Sequence, residues 1–218
     1  MVIFMTLAET ETPSPRTEAR RRAILDVARE LFLVQGFAAT SMSEIAGRLG
    51  GSKGTLYNYF RSKEELFAAF MTDTCGDLAY GVYARLPPVG ADIRDALIEL
   101  GEGLLKFLLR DDTMAIQRLV VAEAGRFPEL GKVFYETGPR KNEERMANYL
   151  RAAMDAGQIR DGDAMQAGRW LRDLILSDIL TKRMWGVVDD LGSARVRAHC
   201  AEAAEIFLTA FGAASSGM

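Results

Sequence analysis

Apolar residues recur along this chain at intervals of three and four, from the region of residue 17 to that of residue 211, and no segment shows a convincing two-residue alternation. That spacing is the period of an α-helix, so the pattern predicts an all-α fold. In "TEARRRAILDVARELFLVQGF" the residues Ile24, Val27, Ala28, Leu31 and Val34 fall at helical spacing, and Gly36 suits the C-terminal stop. "TSMSEIAGRLGG" opens a short helix over 42–49, with Ser41 as N-cap and Glu44 three residues on in a capping-box pattern. The pair Gly50–Gly51 ends it. Ser52 caps a restart over "SKGTLYNYF", and Ser62 with Glu65 forms a second box at "SKEELFAAFM". Three capped starts in so little chain describe short helices joined by tight turns.

Beyond residue 70 the helices lengthen. The pattern gives 63–84, broken by "LPPVG"; 92–109; 113–125, broken near Pro128; 129–136; 140–156, ended by Gly157; 162–187; and 193–211 after "DDLGS". The expectation is nine to ten helices: a disordered lead-in over 1–15 ending in "ETPSP", a three-helix head over 16–62, and a larger helical body over 63–214. The boundary falls inside the helix that starts at Lys63, so head and body share it.

Composition narrows the class. The chain has 218 residues, 49% hydrophobic and 26% charged, which suits a soluble globular protein. No apolar run approaches the roughly 18 residues of a membrane helix, so no membrane partner is expected. "MVIFMTLAET" has no Lys or Arg ahead of its apolar part, which argues against a signal peptide; Met1 and Met5 both stand as starts. Cys75 and Cys200 lie far apart in helical patterns, as neither a disulfide framework nor a zinc set. They read as small buried side chains in a reducing, cytoplasmic setting, with a thiol sensor as the alternative. The single His199 has no nucleophile nearby. Without a phosphate-binding glycine loop, a nucleophile–base set or metal-ligand spacing, neither an enzyme nor a cofactor is expected.

The segment 50–60, "GGSKGTLYNYF", holds the most specific chemistry. Two short helices around a glycine turn make a helix-turn-helix, whose second helix enters the DNA major groove. One glycine of the pair takes positive φ without a Cβ penalty. Lys53, Gly54 and Thr55 form the first turn after the Ser52 cap, the part that reaches base edges. Leu56 and Phe60, four apart, face the head's core. Tyr57 and Tyr59 lie roughly 200° apart around the helix and cannot share a face. Charge agrees: residues 16–70 hold nine basic and six acidic side chains, a net +3 within a chain of net −3.

Residues 17–70 resemble the DNA-binding head of TetR-family transcriptional regulators. The resemblance rests on "ILDVARELFLVQGFAATSMSEIA" and "GTLYNYFRSKEELF"; Gly51 departs from it, since the family more often has Val or Met there. It implies that Thr40, Ser41 and Ser43 contact the DNA backbone and occasionally bases, that Lys53, Gly54 and Thr55 read bases beside the Ser52 cap, and that Tyr57, Tyr59 and Lys63 clamp phosphates. Simpler readings stand beside these: Ser41 and Ser52 as caps only, Tyr59 as head core, and Lys63 as a solvated first-turn lysine.

One head reads only a few base pairs, so a dimer on a pseudo-palindrome is expected, its heads roughly 34–36 Å apart. By the same resemblance, the two C-terminal helices pair with their copies. The interface residues expected there are Trp170, Leu174, Asp178, Phe207, Leu208 and Phe211. The stretch 107–139 mixes large apolar and polar side chains, which suits a pocket for a hydrophobic small-molecule effector. Phe107, Met114, Gln117, Arg118, Phe127, Phe134, Tyr135, Trp170 and Leu174 are its expected lining, with plain core as the competing reading. "RLVVAEAGRFPELGKVFYETGP" resembles the C-terminal domain of the AefR-like subgroup, often linked to control of drug-efflux or lipid-related genes. The expected function is a ligand-released repressor. The alternatives are an activator or a ligand-independent regulator of the same fold, and a helical interaction module that does not read DNA.

Overall fold

The computed structural model describes residues 14–188 and 191–213, the side chains of residues 75–80 excepted. Most of the expected lead-in, the acidic pair of the "DDLGS" linker and the Cys75 side chain lie outside the described residues. Eleven helices run through the described chain: α1 (Pro15–Ala39), α2 (Met42–Arg48), α3 (Lys53–Tyr59), α4 (Lys63–Tyr83), α5 (Ile93–Leu108), α6 (Asp111–Glu123), α7 (Pro128–Thr137), α8 (Pro139–Asp155), α9 (Ala164–Leu176), α10 (Ile179–Met184) and α11 (Ser193–Phe211). They form two compact units that divide between Leu66 and Phe67, inside α4.

In the head, Ser14 caps α1 by accepting from the Thr17 amide at 3.3 Å, and Pro15 supplies a preset first-turn φ. Helix α1 therefore begins at the end of the segment expected to be a lead-in. Its buried face is Ile24, Leu25, Ala28, Leu31 and Phe32. Val34, expected on the apolar stripe, is 79% exposed. At about 100° per residue it sits roughly 120° from the centre of that face. Gly36 (φ 87°, ψ 166°) breaks the helix, turning Phe37 back to stack on Phe32 with ring centroids 5.5 Å apart. Ser41 and Ser62 cap α2 and α4 as expected, accepting from the amides of Glu44 and Glu65. Neither box closes reciprocally, because Glu44 accepts from Gln35 Nε2 and Glu65 from the Arg61 amide.

The body packs α5, α8, α9 and α11 around Leu97, Leu100, Leu104, Leu150, Leu171 and Phe207. Helix α11 comes close to α5 because Gly101 has no side chain. A Cβ there would lie 2.9 Å from Cys200 Sγ. Burial, with Glu102 adding to it, pushes the Cys200 thiol up to about 12, so thiolate is scarce at neutral pH. In a Cys75→Ser variant, native protein is expected to show no fast reaction with Ellman's reagent, and full reaction once unfolded.

The helix expected over 162–187 is two. Between α9 and α10 the chain turns at Ser177–Asp178, where Asp178 has φ 62° and ψ −44° and the Ile179 amide donates to Ser177 O at 2.6 Å. This is a γ-turn with positive φ, a conformation costing on the order of 1–3 kcal/mol. No Gly or Pro marks it, and apolar residues continue on both sides.

Candidate nucleic-acid interface and ligand cavity

The turn between α2 and α3 is built by backbone hydrogen bonds. The Gly51 amide donates to Ala46 O and the Gly50 amide to Gly47 O, both at 3.1 Å, with Gly50 at φ 61°. This is the Schellman arrangement, and its left-handed position is the one that favours glycine. Gly51 has a different use. A Cβ there would lie 2.8 Å from Arg20 Nη2, which donates to Leu49 O at 3.3 Å. The second glycine makes room for a tie between α1 and the turn.

Ser52 caps α3, accepting from the Thr55 amide at 3.1 Å, and its hydroxyl also bonds the Thr55 hydroxyl at 2.9 Å. Leu56 and Phe60 are buried, each 2% exposed. The opposite side is solvent-facing. Lys53, Gly54, Thr55, Tyr57 and Asn58 are all exposed, while Tyr59 is half-buried at the edge. Lys53 Nζ lies 5.8 Å from the Tyr57 ring centroid, so the two share one face one turn apart. Asn58 was missed by sequence reasoning. It stands one turn after Gly54 and roughly opposite Leu56 and Phe60, a spacing that could have found it. The outward line of α3 is therefore a bare backbone at Gly54 followed by an amide, flanked by Lys53 and Tyr57.

At the start of α2, Ser41 and Ser43 are exposed, with Ser41 Oγ engaged in its cap. Two of the expected DNA contacts have partners within the head. Thr40 is 1% exposed; its hydroxyl donates to Gly36 O at 2.8 Å and accepts from Gln35 Nε2. Its side chain closes the turn after α1. Lys63 turns inwards. Its Nζ donates to Phe37 O at 2.7 Å and Thr40 O at 2.9 Å, and stands 4.2 Å from the Phe37 ring centroid. The ammonium satisfies carbonyls at the end of α1, an arrangement that spacing along the sequence does not reveal.

In the body, a cavity of about 330 Å³ opens among the end of α4 and α5 to α10. Phe107, Gln117 and Phe134 line it, as expected. The other expected lining residues are elsewhere. Met114 is core, and Arg118 points away to donate to the carbonyls of Arg183 and Met184. Phe127 lies against the Arg126 guanidinium, and Tyr135 reaches Glu143 from outside. Sequence reasoning missed Tyr83, Asn142, Glu143 and Arg172, which do line the cavity. Glu143 is buried yet satisfied, accepting from Arg172 Nη1, Arg169 Nε and Tyr135 Oη. Burial works against the charged Arg172, but the hydrogen bonds and charges of Asp173 and Glu143 outweigh it and raise its pKa. Tyr83 donates to Asn142 O at 3.1 Å, and burial lifts its phenol well above the ordinary range.

Trp170 and Leu174 instead line an open groove with Ile206, Ala210 and Phe211. Trp170 is 49% exposed, its ring centroid 5.4 Å from that of Phe211. Phe207, expected at a dimer interface, is fully buried beneath Phe211 and belongs to the core. Leu208 packs on the core, and Asp178 sits at the turn before α10.

Comparison with known proteins places both halves. Residues 24–70 match the model for bacterial regulatory proteins of the tetR family, and residues 95–213 match that for the AefR-like transcriptional repressor C-terminal domain. The chain belongs to the TetR family of transcriptional regulators. It is 31% identical to the flavonoid-responsive regulator FrrA, whose structure superimposes with a TM-score of 0.83 over 91% of this chain and 100% of that one. The HTH-type transcriptional activator FasR of Mycolicibacterium smegmatis is 38% identical over 44% of this chain and 43% of its own length. The HTH-type transcriptional repressor KstR2 of Rhodococcus jostii is 34% identical over 39% and 44%. The matched stretch thus spans less than half the length of these two curated relatives. The matched TetR head holds the Schellman turn and α3, and the AefR-like match holds every helix around the cavity except α4. The relatives are transcriptional regulators, not enzymes. No helix among the described residues is long and apolar enough to cross a membrane.

Proposed function

We propose that this TetR-family regulator is a repressor that binds a pseudo-palindromic operator as a homodimer and is released by a hydrophobic small molecule. One observation carries the DNA-reading part: the exposed face of α3 presents Lys53, Gly54, Tyr57 and Asn58 together, on a turn that fixes the helix by its backbone. Lysine donates to guanine acceptors and asparagine pairs with adenine, while the bare Gly54 allows close approach. Ser41, Ser43 and Tyr57 supply neutral contacts to phosphates. In this reading residues 16–62 read DNA, and residues 63–214 hold the effector and the partner subunit.

The groove lined by Trp170, Leu174, Ile206 and Phe211 supports a second copy of this chain as its occupant, continuing the apolar surface of α9 and α11. The cavity supports an effector: it is mostly apolar with a few convergent polar groups, and FrrA is named for its response to flavonoids. Release requires the effector to bind the DNA-incompetent state better, by a few kcal/mol; equal affinity for both states shifts nothing.

Gel-shift titration on a selected operator tests the reading. Lys53→Ala is expected to cost about 1–3 kcal/mol and to relax base preference, and Asn58→Ala to do the same at a neighbouring position. Tyr57→Phe is expected to weaken binding about equally on all sequences. The logarithm of the affinity is expected to fall linearly and steeply with that of the salt concentration. Wild-type affinity in both the Lys53 and Asn58 variants would remove α3 from the groove. A flat salt dependence would favour an interaction module that does not read DNA.

A further inference from the structure

The charges lining the body cavity are already matched. Among its described lining residues Arg172 is the one cation, donating through Nη1 to Glu143 and through Nε and Nη2 to Asp173 Oδ1. Glu143 in turn accepts from Arg169 and Tyr135 as well. A ligand carboxylate entering here would have to displace a carboxylate already bound, or lie beside two of them in a desolvated space.

The unspent hydrogen-bonding capacity of the lining is neutral and includes three acceptors. Asn142 Oδ1 is buried without a partner. Gln117 gives its Nε2 to Leu108 O, which leaves its amide oxygen as an acceptor. Tyr83 gives its O–H to Asn142 O and keeps acceptor capacity on its oxygen. Asn142 lines the cavity, and rotation about its soft terminal torsion would turn Oδ1 towards it. The volume, about 330 Å³, lies at the small end of the range of about 300–1,000 Å³ for ligand pockets.

We propose that this cavity selects a neutral ligand of two or three rings whose hydroxyl or N–H groups donate to Asn142 and Gln117, and that it rejects carboxylates of similar size. The proposal rests on the reading of the cavity as the effector site and adds the chemistry of what enters. Asn142 and Gln117 set the specificity by accepting. The Glu143–Arg172–Asp173 cluster sets it by leaving no cation for an anion to pair with.

Isothermal titration calorimetry of the full chain at pH 7 tests this with three matched probes: resveratrol, a neutral trihydroxystilbene; its trimethyl ether, without donors; and stilbene-4-carboxylate. Resveratrol is expected to bind at least ~10-fold tighter than the ether and at least ~100-fold tighter than the carboxylate. Asn142→Leu is expected to bring resveratrol and the ether to within about twofold. Glu143→Gln, which removes the negative charge beside Arg172, is expected to improve carboxylate binding at least ~10-fold. The proposal is overturned if the carboxylate binds wild type within about threefold of resveratrol, if the ether binds as tightly, or if no probe binds below about 1 mM. Leu176→Trp, which fills the cavity and is checked for folding by circular dichroism, separates the two levels. Undiminished binding in that variant places the site elsewhere and sinks the effector-cavity reading itself. Loss of all binding with a reversed probe order in wild type leaves the cavity standing and refutes only the ligand class.

Discussion

Replacing Lys63 with methionine is expected to destabilise the protein by about 2–4 kcal/mol in urea titration and to weaken binding to every DNA sequence alike. The ammonium is held by the carbonyls of Phe37 and Thr40 over the Phe37 ring. Hydrogen bonds to a charged group contribute about 1.5–3 kcal/mol, and a buried carbonyl left unpaired costs about 1–3 more. Methionine keeps most of the apolar stem, so the loss reports the head group. Lys63→Arg separates the two roles considered for this residue. A phosphate contact tolerates the guanidinium, whereas a socket of converging carbonyls fits a compact ammonium and not a planar fork. Arginine is therefore expected to restore less than half of the stability. The salt dependence of DNA binding by the folded fraction is expected to keep its slope, since no phosphate contact is removed. A slope lower by about one would return Lys63 to the DNA surface.

The second large effect is expected at Glu143. Glu143→Ala should cost about 3–5 kcal/mol, because it strips a buried carboxylate from Arg172, Arg169 and Tyr135 and leaves cationic groups facing an apolar cavity. Asp173 still pairs with Arg172, which places the expected value nearer the lower bound. A double change, Glu143→Leu with Arg172→Met, should recover more than half of the loss, because buried ion pairs are often replaced by apolar packing at little cost. If the double variant is as unstable as Glu143→Ala, the cluster acts through shape and not through charge. In the proposed reading the same cluster also sets which ligand charges the cavity tolerates.

Local chemistry made the head legible. Ser41, Ser52 and Ser62 each announce a helix start, Gly50 takes the left-handed position after α2, and Leu56 with Phe60 fixes which side of α3 faces out. Those signals act over three or four residues, within reach of pattern reading. The carbonyl partners of Lys63 were out of reach because they lie more than twenty residues earlier in the chain. The turn closed by Thr40 was out of reach too, because a hydroxyl at a helix start suits several partners. In the body the helices were visible but their faces were not. Glu143 falls on the stripe of α8 that also holds Met146, Ala147, Leu150 and Ala153, yet a charged residue within "KNEERMANYL" reads as solvated unless its arginine partners on α9 are known. The break at Asp178 left no trace either, since tertiary packing and not a turn residue imposes it. Aromatic richness around 107–139 fell on helices that line a cavity but misplaced Met114, Arg118, Phe127 and Tyr135, because composition does not say which side of a helix meets empty space.

The central claim is that two copies of α3 read successive turns of one DNA face. In vitro selection of full-length protein against a random DNA pool tests it most directly. The account predicts an enriched inverted repeat with half-site centres about one helical turn apart, and loss of the fixed bases when Lys53 and Asn58 are both alanine. An enriched motif without two-fold symmetry, or enrichment unchanged by that double variant, would contradict it.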